Sequence, residues 1–150
     1  MTLSLLVLNF PQFGSLVLIS LFRAIPVEKT LTLVSGSCYL PHPAKEETGG
    51  EDAHFICANE QAIGVADGVG GWAEVGVDAG EFARELMSNS VTAIQYEPKG
   101  SIDPAKVLEK AHSSTKSQGS STACIIALTE EVCCHFQRLV FFYVNKHKQR

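Results

Sequence analysis

Charge is sparse in this chain of 150 residues: only 19% of them are charged, 12 basic against 16 acidic, for a formal net charge of −4. The sequence lacks the basic stripe with which a nucleic-acid-binding surface neutralises phosphates, which argues against that class of partner. Cysteine occurs five times, an odd number with no Cys-x-x-Cys spacing. Neither a disulfide framework nor a cysteine zinc cluster is encoded, and a reducing intracellular compartment, cytosol or organelle, is expected. A Gly-Lys-Ser/Thr Walker ending and a Gly-x-Gly-x-x-Gly fingerprint are both missing, which removes the two common phosphate cradles. No internal repeat is visible. With 45% hydrophobic residues the composition is globular rather than fibrous or disordered. A chain of this length buries about two-thirds of its unfolded surface, enough for one domain without a metal or disulfide staple.

The charge that is present is unevenly placed. Residues 1–22 carry none, and the first charged side chain is Arg23. The run is long enough to cross a bilayer, yet Pro11 and Gly14 interrupt it. It also has no positive n-region before it and no small-residue cleavage site after it. Three readings stay open: an anchor or signal segment, a buried hairpin, or a misassigned start of the chain. For an inserted segment, Arg23 and Lys29 would place the domain after it on the cytoplasmic side.

Beyond it, Thr30–Leu40 reads as a strand interrupted at Gly36. Pro41 and Pro43 force an extended connection, and Lys45–Gly50 (KEETGG) is a polar loop. His54–Ala58 and Ala62–Ala66 form a β-hairpin around Asn59-Glu60-Gln61. Asp78 with Glu81 makes a capping pattern, and Phe82, Ala83, Leu86, Met87, Val91 and Ile94 follow at helical spacing, which predicts a helix over Ala79–Gln95. Glu97-Pro98-Lys99-Gly100 ends it. Asp103 as N-cap and Pro104 at the first helical position open a second helix with Val107, Leu108 and Ala111 on its apolar side. Ser113–Ser121 reads as a polar loop and Thr122–Leu128 as a buried strand. Strands, then two helices, then a strand make an α+β architecture with an antiparallel sheet rather than a doubly wound one.

Glu51-Asp52 stands at the entry of the hairpin and Asp67-Gly68 at its exit. A carboxylate ending an apolar strand is a poor packing choice, and antiparallel pairing lets Asp52 and Asp67 approach. Like charges brought together call for a cation, and hard oxygens of this kind suit Mg²⁺ or Mn²⁺. Gly64, Gly68, Gly70 and Gly71 let the backbone turn and come close to a ligand; the Gly68 carbonyl is itself a candidate ligand. The bland reading of the same residues is an Asp-Gly turn and a solvated Glu-Asp loop.

Three segments add weight to the metal reading. GGEDAHF (Gly49–Phe55), then GVADGVGGW (Gly64–Trp72) and GVDAGEFARELM (Gly76–Met87) resemble the amino-terminal part of the metal-dependent serine/threonine phosphatases of the protein phosphatase 2C (PPM) family, in its plant and mitochondrial-type branch. GSSTACIIAL (Gly119–Leu128) is similar to a later core segment of the family, so the resemblance runs from about Leu31 to Leu128. It implies a β-sandwich flanked by helices, here a partial, truncated one. It further implies two Mn²⁺ or Mg²⁺ ions, a phosphoprotein substrate, and hydrolysis of phosphoserine or phosphothreonine by a metal-activated water. Residue by residue, Asp67 would bridge the ions, Gly68 would lend its carbonyl, and Glu51 and Asp52 would bind directly or through water. Lys45 is the nearby cation in place of the arginine that commonly takes the substrate phosphate, and the cysteines have no catalytic role.

The family's further metal-binding aspartates have no counterpart after Leu128. The expected division is therefore an apolar segment (1–29), a partial phosphatase domain (30–128) and a divergent tail (129–150). The alternative is a truncated, catalytically inactive family product acting at most as a binding partner, with strand edges and an apolar helix face that make the isolated chain unstable. Other candidates have plain readings. Cys133-Cys134-His135 is expected to be an apolar strand, His54 to alternate away from the acidic pair and Trp72 to plug a sheet edge, and the sequence pattern assigns His42 and His112 no role. Asn145–Arg150 is a solvated tail.

Overall fold

A computed structural model describes residues 5–6, 16–24, 31–129 and 140–146. Among the described residues there are two antiparallel sheets. The first joins β1 (Leu5–Leu6), β2 (Leu16–Ala24) and β3 (Leu31–Tyr39) in that order. The second joins β4 (Asp52–Cys57), β5 (Ala62–Gly68), β6 (Gly119–Ala127) and β7 (Val140–Lys146). Helices α1 (Ala79–Gln95) and α2 (Pro104–Ser114) lie between β5 and β6 in the chain.

Alternation along β4 sends Ala53, Phe55 and Cys57 inward and leaves His54 and Ile56 exposed. Central β5 is buried on both faces, and its two faces belong to different cores. On one face Ala62 and Ala66, with Phe55 and Ile125, meet Phe82, Leu86 and Ile94 of α1 and Val107 of α2. On the other, Ile63, Val65, Cys124 and Ile126 meet Leu33 of β3, with Tyr39 and Leu128 packed alongside. The second sheet is thus covered by helices on one side and by β3 on the other, an α+β fold with a sandwich of sheets under a helical layer.

Both helices begin and run as the capping signals predict. The Asp78 carboxylate accepts from the Gly80 N–H at 2.8 Å, and Asp103 accepts from Ala105 N–H at 3.0 Å with Pro104 opening the helix. Elsewhere the structure departs from the sequence expectations. The stretch read as extended chain and polar loop holds a 3-10 helix, Pro43–Thr48, because Pro43 pre-sets its first turn and the His42 ring accepts from Ala44 N–H at 3.2 Å. A second 3-10 helix, Gly70–Val75, follows β5. Strand β6 starts at Gly119 rather than Thr122: Ser120 and Ser121 are buried there and hydrogen-bonded, so serine polarity is a false loop signal. Asn145 and Lys146, read as solvated tail, close β7, with Lys146 opposite Gly119.

In the charge-free segment, β1 and β2 pair antiparallel, and β2 pairs with β3 from Leu16↔Tyr39 to Ala24↔Leu31. No helix among the described residues is long and apolar enough to cross a membrane. Cys133-Cys134-His135 lies outside the described residues.

Candidate metal centre

Register brings the acidic residues together. Asp52, first residue of β4, is the direct partner of Asp67 near the end of β5, and Thr122 of β6 is the next residue in that row. Alternation from Val65 and Ile63 places Asp67 on the face toward the first sheet, just beyond the Leu33 core. His54 sits two residues from Asp52 and shares its face of β4; it does not alternate away from Asp52. It is exposed, with its Nε2 2.8 Å from the Ser37 hydroxyl, a surface histidine tying β4 to β3.

Asp52 and Asp67 are half-buried and hydrogen-bonded to each other. Burial first, then the Asp67 charge and hydrogen bond, and then Glu51 push Asp52 up to about 7, against a weaker opposing pull from Lys45. Asp67 also moves up, again chiefly through burial. Two carboxyls that cannot both ionise cheaply share a proton near neutral pH. That is the electrostatic state a divalent cation relieves. Magnesium-like ions are commonly held by one or two carboxylates with retained waters, so this donor pair fits such an ion. Among the described residues no group of three or more His, Cys, Asp and Glu side chains converges closely enough to hold a metal.

Glu51 is turned elsewhere. Its carboxylate is ion-paired with the Lys45 ammonium and lies over Gly70. Lys45, the candidate for substrate phosphate, is therefore occupied by Glu51. The backbone of Glu51 still belongs to the pair's frame, because its carbonyl accepts from Gly68 N–H at 3.1 Å. Gly68 is buried where the first turn of α1 meets the strands: a Cβ there would lie 2.5 Å from the Ala79 carbonyl oxygen and 2.8 Å from that of Glu51. Close backbone packing thus suffices to require glycine at 68. Trp72 is half-buried and donates from its indole to the Ser120 hydroxyl at 2.7 Å, pinning the second 3-10 helix to the start of β6, an inner strand rather than a sheet edge.

Three neighbours of the pair had no signal in the sequence. Tyr39, at the end of β3, places its phenol against the Asp52 backbone, and burial pushes that phenol up. Arg84 of α1 donates to the Gly50 carbonyl at 3.1 Å and to the Asp78 carboxylate at 2.8 Å, so Asp78 is more than a helix cap. A cleft of about 370 Å³ runs along the outer edge of β4 from Tyr39 and Asp52 to Arg84, Met87 and Val91. Gly50 is 34 residues from Arg84, beyond any local pattern.

Fold and pair together define an α+β sandwich protein with two hard-oxygen donors at the end of its central strands. The chain is 82% identical over 103 residues to the protein named probable protein phosphatase 2C 55 of Arabidopsis thaliana, covering 69% of this chain and 22% of that protein. Probable protein phosphatase 2C 80 of Arabidopsis thaliana is 77% identical over 104 residues, 69% of this chain and 25% of that protein. A solved structure, the photosystem II phosphatase PBCP, superposes with a TM-score of 0.56 at 26% identity, over 89% of this chain and 63% of that one. No protein-family model matches. Over the matched stretch the chain belongs to the protein phosphatase 2C family. It spans about a quarter or less of the length of those two Arabidopsis relatives.

Proposed function

We propose that residues 30–128 carry the amino-terminal half of a phosphatase 2C metal site, and that the activity to which it belongs is hydrolysis of phosphoserine or phosphothreonine in a phosphoprotein. The observation that carries this reading is the Asp52–Asp67 pair, two half-buried carboxyls facing one another across adjacent strands with Asp52 held at about 7. Names of relatives up to 82% identical support the phosphatase class. Asp52 and Asp67 would hold Mn²⁺ or Mg²⁺, with the Gly68 carbonyl on this side of the site and Glu51 joining it only on leaving Lys45. When bound, such ions lower the pKa of water and offset charge on phosphoryl oxygens. The chain's own residues orient the pair: Gly68 N–H holds the Glu51 carbonyl, the Ser121 hydroxyl donates to the Asp67 carbonyl at 2.8 Å, and the Tyr39 phenol meets the Asp52 backbone. Lys45 reaches a substrate phosphate only by sharing or leaving Glu51.

A second reading, a catalytically inactive family product that acts at most by binding, takes its weight from the donor set, which among the described residues is two carboxylates with Glu51 turned to Lys45. Hydrolysis of a phosphothreonine peptide with Mn²⁺, by the chain and by Asp67→Asn, separates the two. Activity that disappears in the variant supports the phosphatase reading. Equal background in both sinks it and leaves the binding product.

A further inference from the structure

The strand entry that carries Glu51 and Asp52 is held from outside the sheet, by α1. Arg84 projects from the second turn of that helix, its Nη1 3.1 Å from the Gly50 carbonyl oxygen and its Nη2 2.8 Å from Asp78 Oδ2. The other oxygen of Asp78 caps α1 through Gly80 N–H at 2.8 Å. One carboxylate therefore fixes both the helix start and the guanidinium that reaches the strand. Gly80 leaves the room for this contact: a Cβ there would stand 2.3 Å from the Gly50 carbonyl oxygen and 2.5 Å from Arg84 Nη1. Gly50 is buried, and its carbonyl is one peptide before Glu51 and two before Asp52. On its other side its N–H donates to the Lys45 carbonyl at 3.0 Å.

We propose that Arg84 is a positioning residue for the acidic pair, its guanidinium clamping the Gly50 carbonyl against α1 so that Asp52 enters β4 aimed at Asp67. Its two fixed N–H···O directions suit the task better than a lysine's single ammonium. A flexible entry would let Asp52 swing away from Asp67, and residues that orient ligands from behind typically change metal affinity about 10- to 100-fold when removed. The part of this inference that concerns metal rests on the metal-site reading above; the clamp itself does not.

The test uses the 150-residue chain and its Arg84→Ala, Arg84→Lys and Gly80→Ala variants, with two readouts. Amide hydrogen exchange without metal reports the clamp directly. Arg84→Ala and Gly80→Ala are expected to accelerate exchange at Gly68, whose N–H bonds the Glu51 carbonyl, while amides in the middle of β6 stay protected. Titration with Mn²⁺, followed by its electron paramagnetic resonance signal, is expected to show about tenfold weaker binding for Arg84→Ala and a partial recovery for Arg84→Lys. Arg84 is exposed, so Arg84→Ala and Arg84→Lys are expected to keep the parent's circular dichroism. Unchanged Gly68 exchange in both disruptive variants overturns the clamp. Faster Gly68 exchange with no Mn²⁺ bound by any form, the parent included, keeps the clamp and overturns the metal-site reading. Faster exchange with Mn²⁺ affinity equal in parent and Arg84→Ala overturns the link between the two.

Discussion

Replacing Asp52 by Asn in the metal-free chain changes the pH dependence of stability in a direction the structure dictates. Asp52 moves from 3.8 to about 7 on folding, so between those values the folded chain binds a proton that the unfolded chain has released. Stability from this group is fully present below about pH 4, falls as pH rises, and is gone above about 7. Three pH units at about 1.4 kcal/mol each would be about 4 kcal/mol in a dry site. Half-exposed carboxyls are screened by water, which reduces the expected effect to about 1–2 kcal/mol. Asn keeps the shape and removes the charge, so Asp52→Asn should match the parent near pH 4 and exceed it by about that amount at pH 8. Urea unfolding in EDTA from pH 4 to 8 gives the difference curve, in which carboxyls remote from the pair cancel and only the Asp52–Asp67 couple is left. A flat curve, or one in which the variant loses ground as pH rises, refutes the reasoning. Saturating Mg²⁺ should then stabilise the parent at pH 8, by about 2.7 kcal/mol at a hundred times Kd, and Asp52→Asn far less.

Two further substitutions test the frame around the pair. Gly68→Ala puts a methyl 2.5 Å from the Ala79 carbonyl oxygen, where only backbone can move, and should cost about 1–3 kcal/mol by urea unfolding; a neutral result would show that the start of α1 is not packed on β5 as described. Phe82→Ala empties a fully buried position between α1 and the sheet, and a loss of about 3–5 kcal/mol in thermal or urea unfolding is expected. A loss below about 1 kcal/mol would mean the helix does not rest on that face.

The local signals were strong where side chains act on their own backbone. Asp78 and Asp103 cap the two helices as their spacing implies, and the apolar positions from Phe82 to Ile94 form one buried stripe because helical geometry brings them to one side. Serines at 120 and 121 misled for the same reason in reverse, since their partners, the Trp72 indole and the Asp67 carbonyl, come from distant parts of the chain. The acidic residues were legible in kind and in pairing, because hairpin register follows from the strands themselves.

What the sequence determined alone was therefore the β4–β5 hairpin, the two α-helices and the meeting of Asp52 with Asp67, all consequences of short-range periodicity and of the pairing of neighbouring strands. Only the tertiary structure decided which acid stands apart and what holds the rest in place. Glu51 is drawn to Lys45, Arg84 reaches across to Gly50, and Tyr39 arrives from the other sheet. Each of these is a contact between elements, set by how the layers pack, and no local pattern of residues encodes that packing.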